Sequence, residues 1–281
     1  MATCLFNHRA APVLCGLAFL AAAAVPAVTV STPATADTFV LNPGPANTLE
    51  DADNRNFGGL NSRSVAAYTA VGTTSGQKGG FDSLLRFNAA ATLTAFDALY
   101  GAGNWTITGV SLKLCTSYNV AGPGIFNAPG AEGKFAVSYM PDDGSGWVQG
   151  QGYTSKTPDP TTSYSGISYT GLQTILDATP ATLVGTYDYV NLGTTQWETF
   201  DLGTGTQALL VDLLNGDNLS LLLTPADDHV AFNFTSWQYV GTIGSRPPTL
   251  IITAEAIPEP VCATLLIMAG GCCLARRAKR R

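Results

Sequence analysis

Over most of its length the chain alternates apolar and polar positions in short stretches, the signature of half-buried strands. The clearest run is residues 105–118, with Ile107 and then Leu112 and Leu114 alternating with Ser111, Lys113 and Cys115. Similar patterns predict strands at 37–41, 64–69, 82–88, 134–140, 186–190, 197–202, 218–223, 229–234 and 249–254. Three segments switch to helical spacing. Leu93, Phe96 and Tyr100 lie three to four apart, residues 172–178 form a second short helix, and 206–214 a third that stops at Gly216. Gly-rich polar segments at 72–80, 121–133 and 144–165 read as long surface loops. Many strands, few helices and no fixed-period repeat predict an all-β fold, a jelly-roll or β-sandwich with a few short helices.

The two ends break this pattern. Residues 1–36 begin with His8 and Arg9, continue as a small, apolar run from Ala10 to Val30, and reach Ala34-Thr35-Ala36. That order is expected of a signal peptide, with signal peptidase cutting after Ala36 and Asp37 opening the mature chain. At 257–281, Pro258-Glu259-Pro260 precedes 15 largely apolar residues (Val261 to Ala275) and a basic end containing Arg276 and Arg277. The run is shorter than the roughly 20 residues that span a bilayer unaided. With flanking arginines it still reads as a C-terminal transmembrane-type helix in the inner membrane, its basic end cytoplasmic. Residues 37–256 are then the folded body.

Charge separates along the same boundaries. Residues 37–260 hold all 20 acidic residues and eight of the 14 basic ones, a net charge of −12. Such a surface repels phosphate, so nucleic acid is not an expected partner. Cys115 is the only cysteine of the body, so no disulfide is expected within it.

Few residues in the body carry candidate chemistry. His229 is its single histidine and sits in a strand pattern, and no G-x-S-x-G elbow accompanies it, so a Ser-His-Asp triad is not expected. The acidic groups around Glu50, Asp142-Asp143 and Asp227-Asp228 are the sole argument for a polysaccharide-degrading enzyme. Asp51, Asp53 and Asn54 crowd oxygen ligands into one loop and are the candidates for a structural calcium ion. Trp147 and Tyr153, in a Gly-rich loop, are the candidate carbohydrate-binding pair, by stacking on a sugar ring; Trp237 and Tyr239 form a second pair. The favoured reading nevertheless has Trp147, like Trp105 and Trp197, cap the sandwich core, with sugar stacking as its alternative.

Two resemblances add to this reading. Asp37-Thr38-Phe39-Val40, Asn56-Phe57-Gly58-Gly59, Ser83-Leu84-Leu85-Arg86-Phe87-Asn88, residues 107–114, Trp197 with Phe200-Asp201-Leu202-Gly203, and residues 246–252 together resemble jelly-roll domains of the DNRLRE type. Those domains are related to carbohydrate-binding modules. The order Pro258-Glu259-Pro260, short apolar helix, terminal arginines resembles the PEP-CTERM sorting signal, which an exosortase recognises and cleaves in bacteria that make exopolysaccharide. The resemblance implies an exported protein, anchored in the membrane until processed and then placed at the cell surface or in the extracellular matrix, with exopolysaccharide or biofilm as its setting. The expected function is therefore a non-enzymatic surface or matrix protein; the alternatives are a carbohydrate-binding module and, second, a polysaccharide-degrading enzyme.

Overall fold

A computed structural model of the chain describes residues 26–44, 51–71, 79–116, 126, 132–141, 146–151, 166–191, 194–239 and 244–257. The fold is all-β with a few short helices. Ten strands run as β1 (Val28–Pro43), β2 (Ser62–Ala66), β3 (Gly79–Asn88), β4 (Trp105–Thr116), β5 (Glu132–Pro141), β6 (Thr182–Val190), β7 (Gln196–Asp201), β8 (Asn218–Pro225), β9 (Ala231–Thr235) and β10 (Thr249–Ala256). The helices are α1 (Tyr68–Val71), α2 (Ala90–Tyr100), α3 (Tyr169–Ala178) and α4 (Gln207–Asn215).

All pairings are antiparallel, and they form two ladders. One runs β6-β5-β8-β3 and ends on the downstream half of β1. The other runs β7-β4-β10 and ends on the upstream half of β1. β1 changes ladders at a bulge between Ala34 and Ala36. The β2–β9 pair joins the two through single contacts, Ala66 with Phe81 and Thr116 with Phe234.

Both ladders send side chains into one core. Leu85 and Phe87 (β3), Phe135 and Val137 (β5), and Leu219, Leu221 and Leu223 (β8) meet Val110, Leu112 and Leu114 (β4) and Leu250 and Ile252 (β10). β3 and β8 are also covered on their other face, where Leu84 and Leu222 join Val40, Met140, Trp147, Ile167 and Leu172. Burial on two sides explains their unbroken apolar runs, Leu84-Leu85 and Leu221-Leu222-Leu223. Local signals set the helix ends: Ser168 Oγ accepts the Gly171 N–H at the start of α3 (3.2 Å), and Gly216, at φ 74°, closes α4.

No helix among the described residues is long and apolar enough to cross a membrane. The transmembrane-type helix expected in the tail lies outside the described residues, as do Pro258, Glu259, Pro260, Arg276 and Arg277.

Candidate functional site

The most elaborate polar cluster gathers at the downstream half of β1. Arg63 (β2) and Asp37 (β1) are fully buried and form an ion pair of 2.6 Å. Arg63 Nε donates to Asp37 Oδ1 (2.9 Å), Nη1 to the carbonyls of Leu60 and Ser62, and Nη2 to those of Asp37 (2.9 Å) and Gly58 (3.1 Å). All five guanidinium N–H groups are thereby placed. Asp37 Oδ2 accepts the Trp237 backbone N–H at 2.7 Å. Burial pushes the Asp37 carboxyl up, against the opposing pull of Arg63 and that N–H.

A second tier locks this cluster to the loop at 146–151. Gln149 Oε1 accepts from the Asp37 N–H (3.1 Å) and Trp237 Nε1 (2.6 Å), while Gln149 Nε2 donates to the Gly58 carbonyl (2.8 Å). Gln238 Nε2 reaches the same carbonyl at 2.8 Å. Asn56 Nδ2 donates to the carbonyls of Gln149 (2.7 Å) and Ile167 (3.0 Å), and its Oδ1 takes the Gly58 N–H (3.1 Å). Gly58 must be glycine because a Cβ there would run into the Gln149 carbonyl. Gly150, at φ +68°, gives way to the Asn56 side chain. Phe57 stacks on Phe39 with ring centroids 4.7 Å apart. The segment Asn56-Phe57-Gly58-Gly59 thus serves as a junction for three chain segments. With both carboxylate oxygens of Asp37 occupied and the pair shut off from solvent, the cluster is built to hold loops in place.

The outer face of the β3–β8 ladder is covered. Trp147 is 3% exposed; its ring lies under the Arg86 guanidinium at 4.3 Å, and its Nε1 donates to Ser220 Oγ at 2.8 Å. Arg86 Nη2 also donates to the Trp147 carbonyl at 2.8 Å. Trp147 is thus buried, as the core-capping reading has it, and its faces are not open to a sugar ring; Tyr153 lies outside the described residues. On the same face, two residues before Leu84, the Asp82 carboxyl is pushed up to about 7 by burial. Its charge in turn helps, after burial, to raise the Tyr169 hydroxyl on α3.

The outer face of the β4–β10 ladder is open. Ser111 and Lys113 of β4 stand between Asp201 and Thr199 of β7 on one side and Ile251 and Thr249 of β10 on the other. Beside them Trp197, expected in the core, is 40% exposed. Lys113 Nζ lies 4.7 Å and Arg246 Cζ 6.0 Å from its ring centroid. The alternation Trp197, Thr199, Asp201 against Phe200 and Leu202 carried this signal. Trp237 is also half-exposed, at 39%, but its indole N–H is committed to Gln149.

The other expected positions are dispersed. Asp51, at φ 49°, precedes a 3-10 turn formed by Ala52–Asn54; Asp51 and Asn54 are exposed, and the Asp53 carbonyl accepts from Thr170 Oγ1. Among the described residues, no group of three or more His, Cys, Asp or Glu side chains comes together as a metal site. His229 is exposed in the bend before β9. Asp227 caps that bend: burial raises its pKa, but the N–H groups of His229, Val230 and Lys134 outweigh this and lower it. Glu50 and Asp142-Asp143 lie outside the described residues, whereas Ala34 and Ala36 lie inside β1. Arg63, the largest fully buried side chain among the described residues, and Gln149 were not anticipated from sequence. Compared with protein-family models and with curated proteins, the chain matches none.

Proposed function

We propose that this chain is an exported, non-enzymatic cell-surface or matrix protein whose jelly-roll body is delivered by its C-terminal tail. The tail carries the reading: Pro258-Glu259-Pro260, an apolar run and terminal arginines, in that order, at the end of an acidic body behind an N-terminal apolar leader. On this reading an exosortase acts on the tail and the body reaches the exopolysaccharide layer. One feature of the body supports it: its best-built polar cluster, around the Asp37–Arg63 pair, is sealed and saturated. A reporter carrying residues 257–281 tests the sorting step in an exosortase-bearing bacterium. Replacing Pro258, Glu259 and Pro260 by Ala should leave the reporter in the membrane; unchanged localisation would refute the proposal.

A second reading, carbohydrate binding, is favoured by the open face. An indole that is 40% exposed beside Lys113 and Arg246 offers stacking and cationic contacts to an acidic sugar. Pull-down on an anionic polysaccharide should be lost in Trp197→Ala, and retention of binding in that variant would rule this surface out.

A further inference from the structure

The upstream half of β1 bears on where the leader ends. Val28–Pro33 pairs residue by residue with β10, from Val28 opposite Ala254 to Pro33 opposite Thr249. Side chains fix this register. Thr29 Oγ1 meets Thr253 Oγ1 at 3.0 Å, Thr32 hydrogen-bonds to the buried Thr92 of α2, and the Ala34 N–H donates to the Pro248 carbonyl at 2.8 Å. Tyr100 Oη contacts the carbonyls of Pro26 (3.0 Å) and Ala254 (3.1 Å). Ala34 is 5% exposed in the main core, and Val30 packs against that core.

A cut after Ala36 would discard all of this. It would strip β10 of its β1 partner from Thr249 to Ala254, leaving it paired with β4 alone and exposing a strand edge immediately before the tail. We infer that the leader is instead removed upstream of Val28, so that the whole of β1 belongs to the mature protein. This rests on the exported reading. The step is hydrolysis by the membrane signal peptidase: water adds across one peptide bond, the leader leaves with a new carboxylate, and the mature chain begins with a new ammonium.

The sequence offers a bond there. Ala22-Ala23-Ala24 places small residues at both positions such a peptidase reads, and a cut after Ala24 retains the Pro26 carbonyl that Tyr100 uses. It also leaves an apolar core running from Ala10 to Ala24, within the roughly 7–15 residues usual for a leader; the run to Val30 exceeds that length.

N-terminal sequencing of the full-length protein, expressed in a Gram-negative host and recovered outside the cytoplasm, decides the matter. The expected first residue lies between Val25 and Val28. A start at Asp37 overturns the inference while leaving export intact; a chain retaining residues 1–20 in the cytoplasm overturns the export reading and the inference with it. Because processing acts on the translocating chain, variants report even if they later fail to fold. Ala22→Phe with Ala24→Phe should accumulate precursor or shift the cut, and Ala34→Phe with Ala36→Phe should leave the first residue unchanged. The reverse pattern overturns the inference.

Discussion

The two outer faces of the ladders each carry a tryptophan beside a cation, and they differ in nearly everything else. On the β3–β8 face Trp147 lies beneath Arg86 at 4.3 Å, 3% exposed, with its N–H on Ser220. On the β4–β10 face Trp197 lies near Lys113 at 4.7 Å and is 40% exposed. The same side-chain chemistry seals one face and leaves the other available. The cause is the chain around each ring: the 146–151 segment and α3 lie over the first, held down through Gln149 to the Asp37–Arg63 pair, while Trp197 projects outward from β7. A tryptophan in a Gly-rich segment is therefore no guide to a binding surface unless something shows which way that segment folds.

The largest expected effect comes from loosening what holds the cover. Arg63→Ala leaves the Asp37 carboxylate buried without its partner and should cost about 3–5 kcal/mol of unfolding free energy, read by urea denaturation. A loss below about 1 kcal/mol would mean that the cluster does not fasten the cover. Trp147→Ala empties a packed site and should cost about 3–4 kcal/mol. Trp197→Ala should cost less than about 1 kcal/mol while removing any affinity for anionic polysaccharide. If the two tryptophan variants destabilise equally, the contrast between the faces is lost.

Between these in size lies a pH effect on the covered face. Burial raises the Asp82 carboxyl from its ordinary value of 3.8 to about 7, so over that window the folded protein holds a proton that the unfolded chain has released. Stability should accordingly fall as pH rises from about 4 to about 7, by roughly 2–4 kcal/mol from this group. Asp82→Asn should flatten most of that slope and raise the melting temperature at pH 8 relative to the parent. The smaller slope that remains has the same sign, because burial also raises the half-buried Glu198. A parent profile that is flat, or that rises over this window, would place Asp82 in a wetter setting than the structure gives it.

Much of the fold was legible beforehand, for identifiable reasons. β4 declared itself through the alternation from Val110 to Leu114, after a change of phase at Gly109, and α4 through its leucines and Gly216. The upstream half of β1 was missed because Val28 and Val30 continue the apolar leader and conceal the alternation with Thr29 and Ser31. Arg63 was missed because a charged side chain is ordinarily exposed, and only the approach of the Asn56–Gly58 segment to β1 supplies enough acceptors to bury it. Trp147 caps the core, as the favoured reading has it, although loop composition cannot report its fold-back onto the sheet; Trp197 is the one that departs from the core, and the period-two pattern around it already placed it opposite Phe200. The candidate calcium residues share a loop in sequence and fall on a single 3-10 turn in the fold.

The proposed delivery is decided at the C-terminus. Intact-mass measurement of the full-length protein, recovered separately from membrane and cell-surface fractions of an exosortase-bearing bacterium, addresses it in one experiment. The expected result is a membrane form that keeps its terminal arginines and a surface form that has lost the segment following Pro258-Glu259-Pro260. Surface protein still ending at Arg281 would refute delivery by the tail.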